Sequence, residues 1–126
     1  MKHAYVVCLA LGLAVGTAHA ADCQGASARL LDNLDRSDYA DATADFDDRM
    51  KAALGTDRLT RIWAAVSQQF GSRGAREQPR LSQVDGHTLV ITPVHYGQHL
   101  IDVRVACDGN GRIGGLHIRP QHGAMP

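Results

Sequence analysis

The segment Thr88-Leu-Val-Ile-Thr-Pro-Val-His-Tyr-Gly-Gln-His-Leu-Ile-Asp-Val-Arg-Val-Ala-Cys107 decides the fold that we predict for this chain. Apolar and polar residues alternate on both sides of Gly97-Gln98, which is typical of two half-buried strands joined by a tight turn. A two-residue turn would place Tyr96 directly opposite His99. We therefore predict that an antiparallel hairpin forms the centre of the domain.

Neighbouring segments extend this hairpin into a meander. Residues 80–84 predict a strand that ends at the turn signal Asp85-Gly86, and residues 112–120 predict another after the glycine-rich turn 108–111. Carrying the register onward pairs Leu116 with Val103 and Ile118 with Ile101. A one-residue slip would scramble the faces, so the consistency of one apolar face supports this register. That face holds Val90, Thr92, Val94, Ile101, Val103, Val105, Leu116 and Ile118.

The opposite face of the predicted sheet is mixed in character. On it, Asp102 is expected to pair with His117 across neighbouring strands, with His95 on the diagonal. Two histidines and a carboxylate suit a transition metal, but His95 and His117 would lie two strands apart, roughly 10 Å. We therefore predict a cross-strand ion pair, with neither a metal nor another cofactor. The residues of this face are Leu89, Ile91, His95, Leu100, Asp102, Arg104, Ile113 and His117.

Upstream residues predict three helices that cover the apolar face. The first begins at a candidate N-cap, Ser27, the second spans residues 39–54 and ends before Gly55, and the third starts with Thr56-Asp57. The third carries the clearest apolar stripe of the chain. The expected fold is α+β, with three N-terminal helices packed on one face of a curved, mainly antiparallel four-stranded sheet. The stripe residues are Leu59, Ile62, Trp63, Val66 and Phe70.

The N-terminus has the pattern of a secretory signal peptide at residues 1–20. A short basic segment precedes the apolar run 4–16, and Ala18-His19-Ala20 supplies the small residues of a cleavage site. An uncleaved membrane anchor is the alternative, but the apolar run is shorter than the ~20 residues that a span needs. We predict an exported protein, periplasmic or secreted, that leaves the membrane after cleavage. Residues 21–126 then form a single domain.

Cleavage would leave two cysteines, Cys23 and Cys107. In an exported domain such a pair favours a disulfide over a metal site or free thiols. Lipid attachment fits neither Cys8, which lies too early, nor Cys23, which follows the charged residue Asp22. We predict a Cys23–Cys107 disulfide, which by closing a long loop would add on the order of 4 kcal/mol to stability.

The charges are balanced overall but unevenly distributed. Residues 21–50 carry eight Asp against three Arg, whereas residues 51–126 carry nine Lys or Arg against five acidic residues. This pattern favours a solvated acidic helical face over an acidic docking surface. No basic cluster with interleaved aromatic residues occurs, so we predict no nucleic-acid partner.

Four segments together resemble a known family. They are Asn33-Leu-Asp-Arg-Ser-Asp-Tyr39, Phe46-Asp-Asp-Arg-Met-Lys51, Leu59-Thr-Arg-Ile-Trp63 and Gly111-Arg-Ile-Gly-Gly-Leu-His-Ile-Arg-Pro120. Their order resembles a bacterial domain of unknown function, found in exported proteins and sometimes upstream of an α/β-hydrolase domain. The resemblance covers nearly all of residues 21–126, and it implies the cone-shaped α+β fold of the nuclear-transport-factor and ketosteroid-isomerase type.

The resemblance implies no activity, because none of these motif residues is a known catalytic group of the family. The chain also has no Gly-x-Ser-x-Gly elbow, so a role that depends on a hydrolase would be exerted in trans. Enzymes of the cone-shaped fold place acids and bases on the concave face, which here is aliphatic apart from Thr92.

We therefore expect a non-enzymatic exported binding or interaction module. Its mixed sheet face would mediate association, as a homodimer or with another exported protein. The alternative is a small-molecule-binding protein or an enzyme with a pocket between the helices and the sheet. The residues of that pocket would be Tyr39, Phe46, Trp63 and Thr92.

Overall fold

The computed structural model describes residues 14–121, in which helices precede an antiparallel sheet. The α+β class is confirmed, with four helices and five strands in the described residues rather than the three and four that we predicted. Most of the predicted signal peptide lies outside the described residues. Within residues 14–121 no helix is both long and apolar enough to cross a membrane. The elements are α1 (Ala14–Asp35), α2 (Tyr39–Ala42), α3 (Asp48–Ala53), α4 (Thr56–Phe70), β1 (Arg73–Arg76), β2 (Arg80–Val84), β3 (His87–Tyr96), β4 (His99–Cys107) and β5 (Ile113–Pro120).

The central hairpin has the predicted register. Tyr96 lies opposite His99 across the Gly97-Gln98 turn, and every pair down to Thr88 and Cys107 follows from it. The turn between β2 and β3 also forms as predicted, because Asp85 and Gly86 both adopt positive φ angles, 52° and 79°. The buried pairs of the hairpin are Val94 with Ile101, Thr92 with Val103, and Val90 with Val105.

The predicted register between β4 and β5 was wrong by two residues. Leu116 lies opposite Val105, and Ile118 lies opposite Val103. Because side chains alternate with a period of two, an even shift keeps both residues on the face that was predicted for them. Both are half-buried and pack against the core.

The placement of Ile113 on the mixed face was also wrong. Ala106 pairs with Gly115 while Cys107 pairs with Ile113, so Gly114 is an extra residue that interrupts the ladder. Such a bulge reverses the side on which the preceding residue points. Ile113 therefore lies opposite Cys107 on the inner face, where it is fully buried.

The predicted second helix is interrupted between α2 and α3. Phe46 leaves the helix and forms an isolated bridge with Ile113 at the start of β5. Asp47 N donates to Ile113 O at 2.9 Å, and Ile113 N donates to Asp45 O at 2.8 Å. The chain then re-enters a helix because Asp47 Oδ1 accepts a hydrogen bond from Met50 N at 2.7 Å, which caps α3.

Helix α1 begins further upstream than predicted, so Ser27 lies inside it rather than at its N-cap. The cleavage site predicted after Ala20 falls within this helix. Helix α4 starts at Thr56 as predicted, and its N-cap is Gly55.

Helices α1 and α4 bury the inner face of the sheet. From α1 come Leu30, Leu31 and Leu34, and from α4 come Leu59, Trp63 and Val66. The predicted disulfide between Cys23 and Cys107 is confirmed, with Cα atoms 5.8 Å apart. It links the middle of α1 to the end of β4 inside the core.

The outer edge of β3 is shared by two short strands. Strand β2 pairs with β3 from His87 to Ile91, and β1 pairs with β3 only at Val94 and Tyr96, with an irregularity between its two pairs. Between them lies Pro93, which has no N–H and cannot continue a ladder toward this edge. Only its carbonyl is used, accepting from Glu77 N at 2.8 Å.

We expect Gly97→Ala to destabilise the protein by about 2 kcal/mol or more. Gly97 has a φ of 57°, and a methyl group on it would lie 2.6 Å from the Phe70 carbonyl oxygen. Gly109→Ala is the control, because its methyl group would meet no atom within 4 Å. Urea denaturation measures both, and equal midpoints would contradict the close approach of α4 to this turn.

We expect the disulfide to stabilise the native state by on the order of 4 kcal/mol, given a sequence separation of 84 residues. Replacing both cysteines, Cys23→Ala with Cys107→Ala, should lower the free energy of unfolding by up to that amount. Native alkylation followed by mass spectrometry checks the bond itself. Ready labelling of Cys23 and Cys107 without reductant would contradict it.

Candidate functional site

A cavity lies beneath α1, beside the gap that Pro93 creates in the edge of the sheet. The segment from the end of β1 to β2, residues 76–79, leaves the edge of β3 and forms one wall of this cavity. Helix α1 forms the opposite wall, and the inner face of β3 forms the floor. The cavity has a volume of about 190 Å³ and is lined by Gln24, Ser27, Ala28, Leu31, Arg76, Glu77, Pro79, Val90 and Thr92.

Two hydroxyl-bearing residues line this cavity. Ser27 is 1% exposed, and its Oγ has no hydrogen-bond partner within residues 14–121. A serine inside a helix can donate to the carbonyl four residues earlier, here that of Cys23, but this bond is not formed. Thr92 is 4% exposed and reaches the cavity from the sheet. A pair of hydroxyl-bearing residues therefore lines the cavity beside the apolar residues Ala28, Leu31, Pro79 and Val90.

Charged residues surround the cavity entrance in partly exposed ion pairs. Arg76 Nη2 lies 2.5 Å from Asp32 Oδ1 and 3.5 Å from Asp35 Oδ2. Arg73 Nη2 lies 2.6 Å from the same Asp35 oxygen, so both arginines of β1 are tied to the C-terminal part of α1. Each pair contributes little alone at this exposure, but together they hold the sheet edge against the helix.

Of the four residues of the predicted pocket, Thr92 alone lines the cavity under α1. Phe46 and Trp63 are buried in the core and do not line it. Tyr39 is half-buried and packs against that core from α2. Trp63 meets the ring of Tyr96 edge to face, with centroids 6.0 Å apart.

Tyr96, which contacts Trp63, is a buried titratable residue. Its side chain is almost completely buried, and its hydroxyl has no hydrogen-bond partner among the described residues. Burial raises the pKa of Tyr96 to about 12, although the Arg73 guanidinium, 5.9 Å from the ring centroid, acts in the opposite direction. Tyr96 therefore remains a neutral phenol throughout the physiological range.

The outer face of the sheet is the second candidate site. Helices pack on the inner face, and the outer face carries half-buried Leu89, Ile91 and Leu100. On the edge strand, Val84 is 51% exposed. A shallow, mostly apolar groove of about 320 Å³ lies beside it, lined by Val84, Asp85, His87, Leu89 and Ala106.

The polar pairs on this face differ from those predicted. Asp102 lies opposite Arg119 and Arg104 lies opposite His117, so the Asp102–His117 pair was wrong. The two-residue shift between β4 and β5 is the reason. His95 instead meets Glu77, with Nε2 and Oε2 2.8 Å apart. Among the described residues, no three His, Cys, Asp or Glu side chains converge as metal ligands would.

Two polar groups lie at the centre of the outer face, on β4. Asp102 Oδ1 accepts a hydrogen bond from Gln121 Nε2 at 2.9 Å. Arg104 Nε is shielded from solvent by its neighbours, yet no acceptor reaches it within the described part of the chain. Residues two apart on a strand share a face, so this donor and this carboxylate lie side by side.

The comparison with family models identifies the chain. Residues 27–116, well over half of its length, match the model described as Protein of unknown function (DUF3887). The chain belongs to this family. The matched segment of the DUF3887 domain runs from the cavity serine on α1 into β5. No curated protein and no solved structure matches the chain.

Sequence reasoning missed most of the cavity residues. Ser27 was interpreted as an N-cap, and Gln24, Arg76 and Glu77 drew no functional interpretation. Pro93 was the available signal, because a proline in a strand predicts an irregular edge at that point. The packing of α1 determines which side chains lie beside Pro93. No local sequence pattern encodes that packing.

We expect stability to fall between pH 10 and 12 because of Tyr96. Below pH 10 the phenol is protonated in both states. Above it the unfolded state ionises, with a pKa of about 10, while the folded state keeps its proton up to a pKa of about 12. Tyr96→Phe should remove this loss and Tyr39→Phe should retain it. Chemical denaturation across this range measures both, and identical pH profiles would contradict the assignment.

Proposed function

We propose that this DUF3887 protein is an exported, non-enzymatic binding module that self-associates through the outer face of its sheet. Export, to the periplasm or out of the cell, rests on the signal-peptide pattern of residues 1–20. The Cys23–Cys107 disulfide supports the same compartment, because such bonds persist in oxidising environments.

The cone-type fold belongs to this proposal as well. Four helices followed by an antiparallel sheet, with the helices packed on its inner face, are compatible with that arrangement. On the inner face, β3 and β4 present no carboxylate, and their one base is His99, at the hairpin end, where its ring packs edge to face on Phe70 of α4. General acid–base chemistry would require an acid or base within a pocket, so the inner face favours a binding role. The other residues of this face that are not aliphatic are Thr88, Thr92, Tyr96 and Cys107.

One observation carries the self-association. Asp102 and Arg104 carry opposite charges and lie two residues apart on the outer face of the central strand β4. Consider two copies whose outer faces stack on one another, related by a two-fold axis midway between the sheets. If the axis runs perpendicular to β4 and is level with Val103, it brings Asp102 of each copy beside Arg104 of the other. The face is therefore complementary in charge to itself.

Apolar side chains around this pair support the same arrangement. Leu89, Ile91 and Leu100 are only half-buried in the single chain, and Val84 is more exposed still. A dimer would cover them, which is the usual composition of an interface core bordered by polar residues. Asp102 and Arg104 then fix the register of the two copies.

A charge exchange tests this pairing. Asp102→Arg alone and Arg104→Asp alone should each convert dimer to monomer, because each variant brings like charges together across the axis. The combined variant, Asp102→Arg with Arg104→Asp, should restore the dimer. A mixture of the two single variants should also form a heterodimer, since both of its cross-axis pairs are then opposite in charge. Sedimentation velocity on the purified full chain measures each state.

Leu100→Glu provides a second test of the outer face. A carboxylate placed among the half-buried leucine and isoleucine side chains should shift the protein to monomer and leave its circular dichroism unchanged. Arg61→Glu, on the exposed side of α4, is the matched control and should remain dimeric. A wild-type protein that is monomeric at high micromolar concentration would overturn the proposal and favour a different exported protein as the partner.

A further inference from the structure

We infer that the cavity beneath α1 binds a small, neutral, ring-sized compound that carries one hydroxyl or carbonyl group. This site lies on the opposite side of the sheet from the proposed dimer face. The result of testing one proposal therefore does not decide the other. The inference rests on three properties of the cavity: its volume, its buried hydroxyl groups and the charge balance at its entrance.

The volume limits the ligand to roughly the size of one ring. The cavity holds about 190 Å³, somewhat more than the ~150 Å³ apolar cavity that is known to accept benzene in an engineered protein. It is smaller than the ~300–1,000 Å³ typical of sites for drug-sized ligands. Its walls include Ala28, Leu31, Pro79 and Val90. A single ring or a short branched chain fits this space, whereas a nucleotide or an oligosaccharide does not.

The buried hydroxyl of Ser27 supplies a polar contact for the ligand. Ser27 lines the cavity, and leaving its buried hydroxyl without a partner costs about 1–3 kcal/mol, so a ligand that reaches this oxygen gains a hydrogen bond there. Thr92 faces the same space from β3. Both hydroxyls donate and accept, which suits an alcohol, a phenol or a carbonyl compound.

The charged side chains at the cavity entrance are already paired with one another, which favours a neutral ligand. Arg76 is already engaged by Asp32 and Asp35, and Glu77 is engaged by His95. A carboxylate ligand would have to displace the acidic residues from Arg76, and a cation would have to displace His95 from Glu77. A neutral ligand enters without breaking either set of contacts, which is why we assign the site to neutral compounds.

Phenol and toluene are the matched probes, because they have nearly the same shape and differ in the hydroxyl group. Phenol should bind the full-length protein with the larger affinity, and its amide chemical-shift changes should centre on Ser27, Ala28, Val90 and Thr92. Ser27→Ala should weaken phenol binding about five-fold, which corresponds to one hydrogen bond of ~1 kcal/mol. The same change should leave toluene binding unchanged or slightly stronger. Ser67→Ala, at an exposed position of α4, is the control.

The variant Ala28→Leu tests whether the probes bind in this cavity. Ala28 is exposed on α1 but lines the cavity, so a larger side chain there should block both probes without disturbing the core. Loss of both probes in this variant, together with the selective loss of phenol in Ser27→Ala, would support the site. Phenol binding that Ala28→Leu leaves intact, shift changes centred elsewhere, or no binding of either probe at millimolar concentration would overturn it. An equal phenol affinity in Ser27→Ala would overturn it as well, because the proposed preference for a hydroxyl or carbonyl group rests on Ser27.

Discussion

Burial of one face of the β3–β4 hairpin beneath α1 and α4 is the interaction on which the rest of the structure depends. Val90, Val94, Ile101, Val103 and Val105 are all fully buried there. No other sheet surface in the described chain gathers so much apolar area, and burial of such area dominates the free energy of folding. The disulfide adds a covalent restraint at the edge of this contact, where α1 meets the end of β4.

The hairpin and α4 could be predicted because each is encoded locally. A two-residue turn fixes the register of the strands beside it, and a stripe of period 3.6 fixes the buried face of a helix. The β4–β5 register could not be obtained in this way, since the bulge at Gly114 arises where Ile113 pairs with Phe46 from a distant segment. The same contact interrupts the helix that was predicted over residues 39–54. The bulge accounts for one residue of the two-residue shift, and the other comes from the connection after Cys107, which spans residues 108–112 rather than the predicted 108–111.

The candidate sites show the same division between local and distant information. Leu89, Ile91, Leu100 and Arg104 were placed correctly on the outer face, because their alternation along two strands is a local property. Within the cavity only Thr92 was anticipated. Ser27, which lines the same cavity, was wrongly interpreted as an N-cap. A serine near the start of an apolar helical pattern resembles a cap, and the pattern does not show that the helix begins further upstream. The proposal for the cavity therefore depends on the packing of α1, which only the three-dimensional structure supplies.

Strand β2 has a consequence for the energetics of local opening. All five of its residues are exposed, and it pairs with β3 alone. Its detachment would break a few ladder bonds and uncover almost no buried apolar area, so its opening free energy lies well below that of global unfolding. Amide hydrogens of residues 80–84 should therefore exchange with solvent long before those of residues 101–105. While β2 is open, the backbone of β3 from His87 to Ile91 becomes a vacant strand edge beside the cavity, of the kind that extended peptides can join.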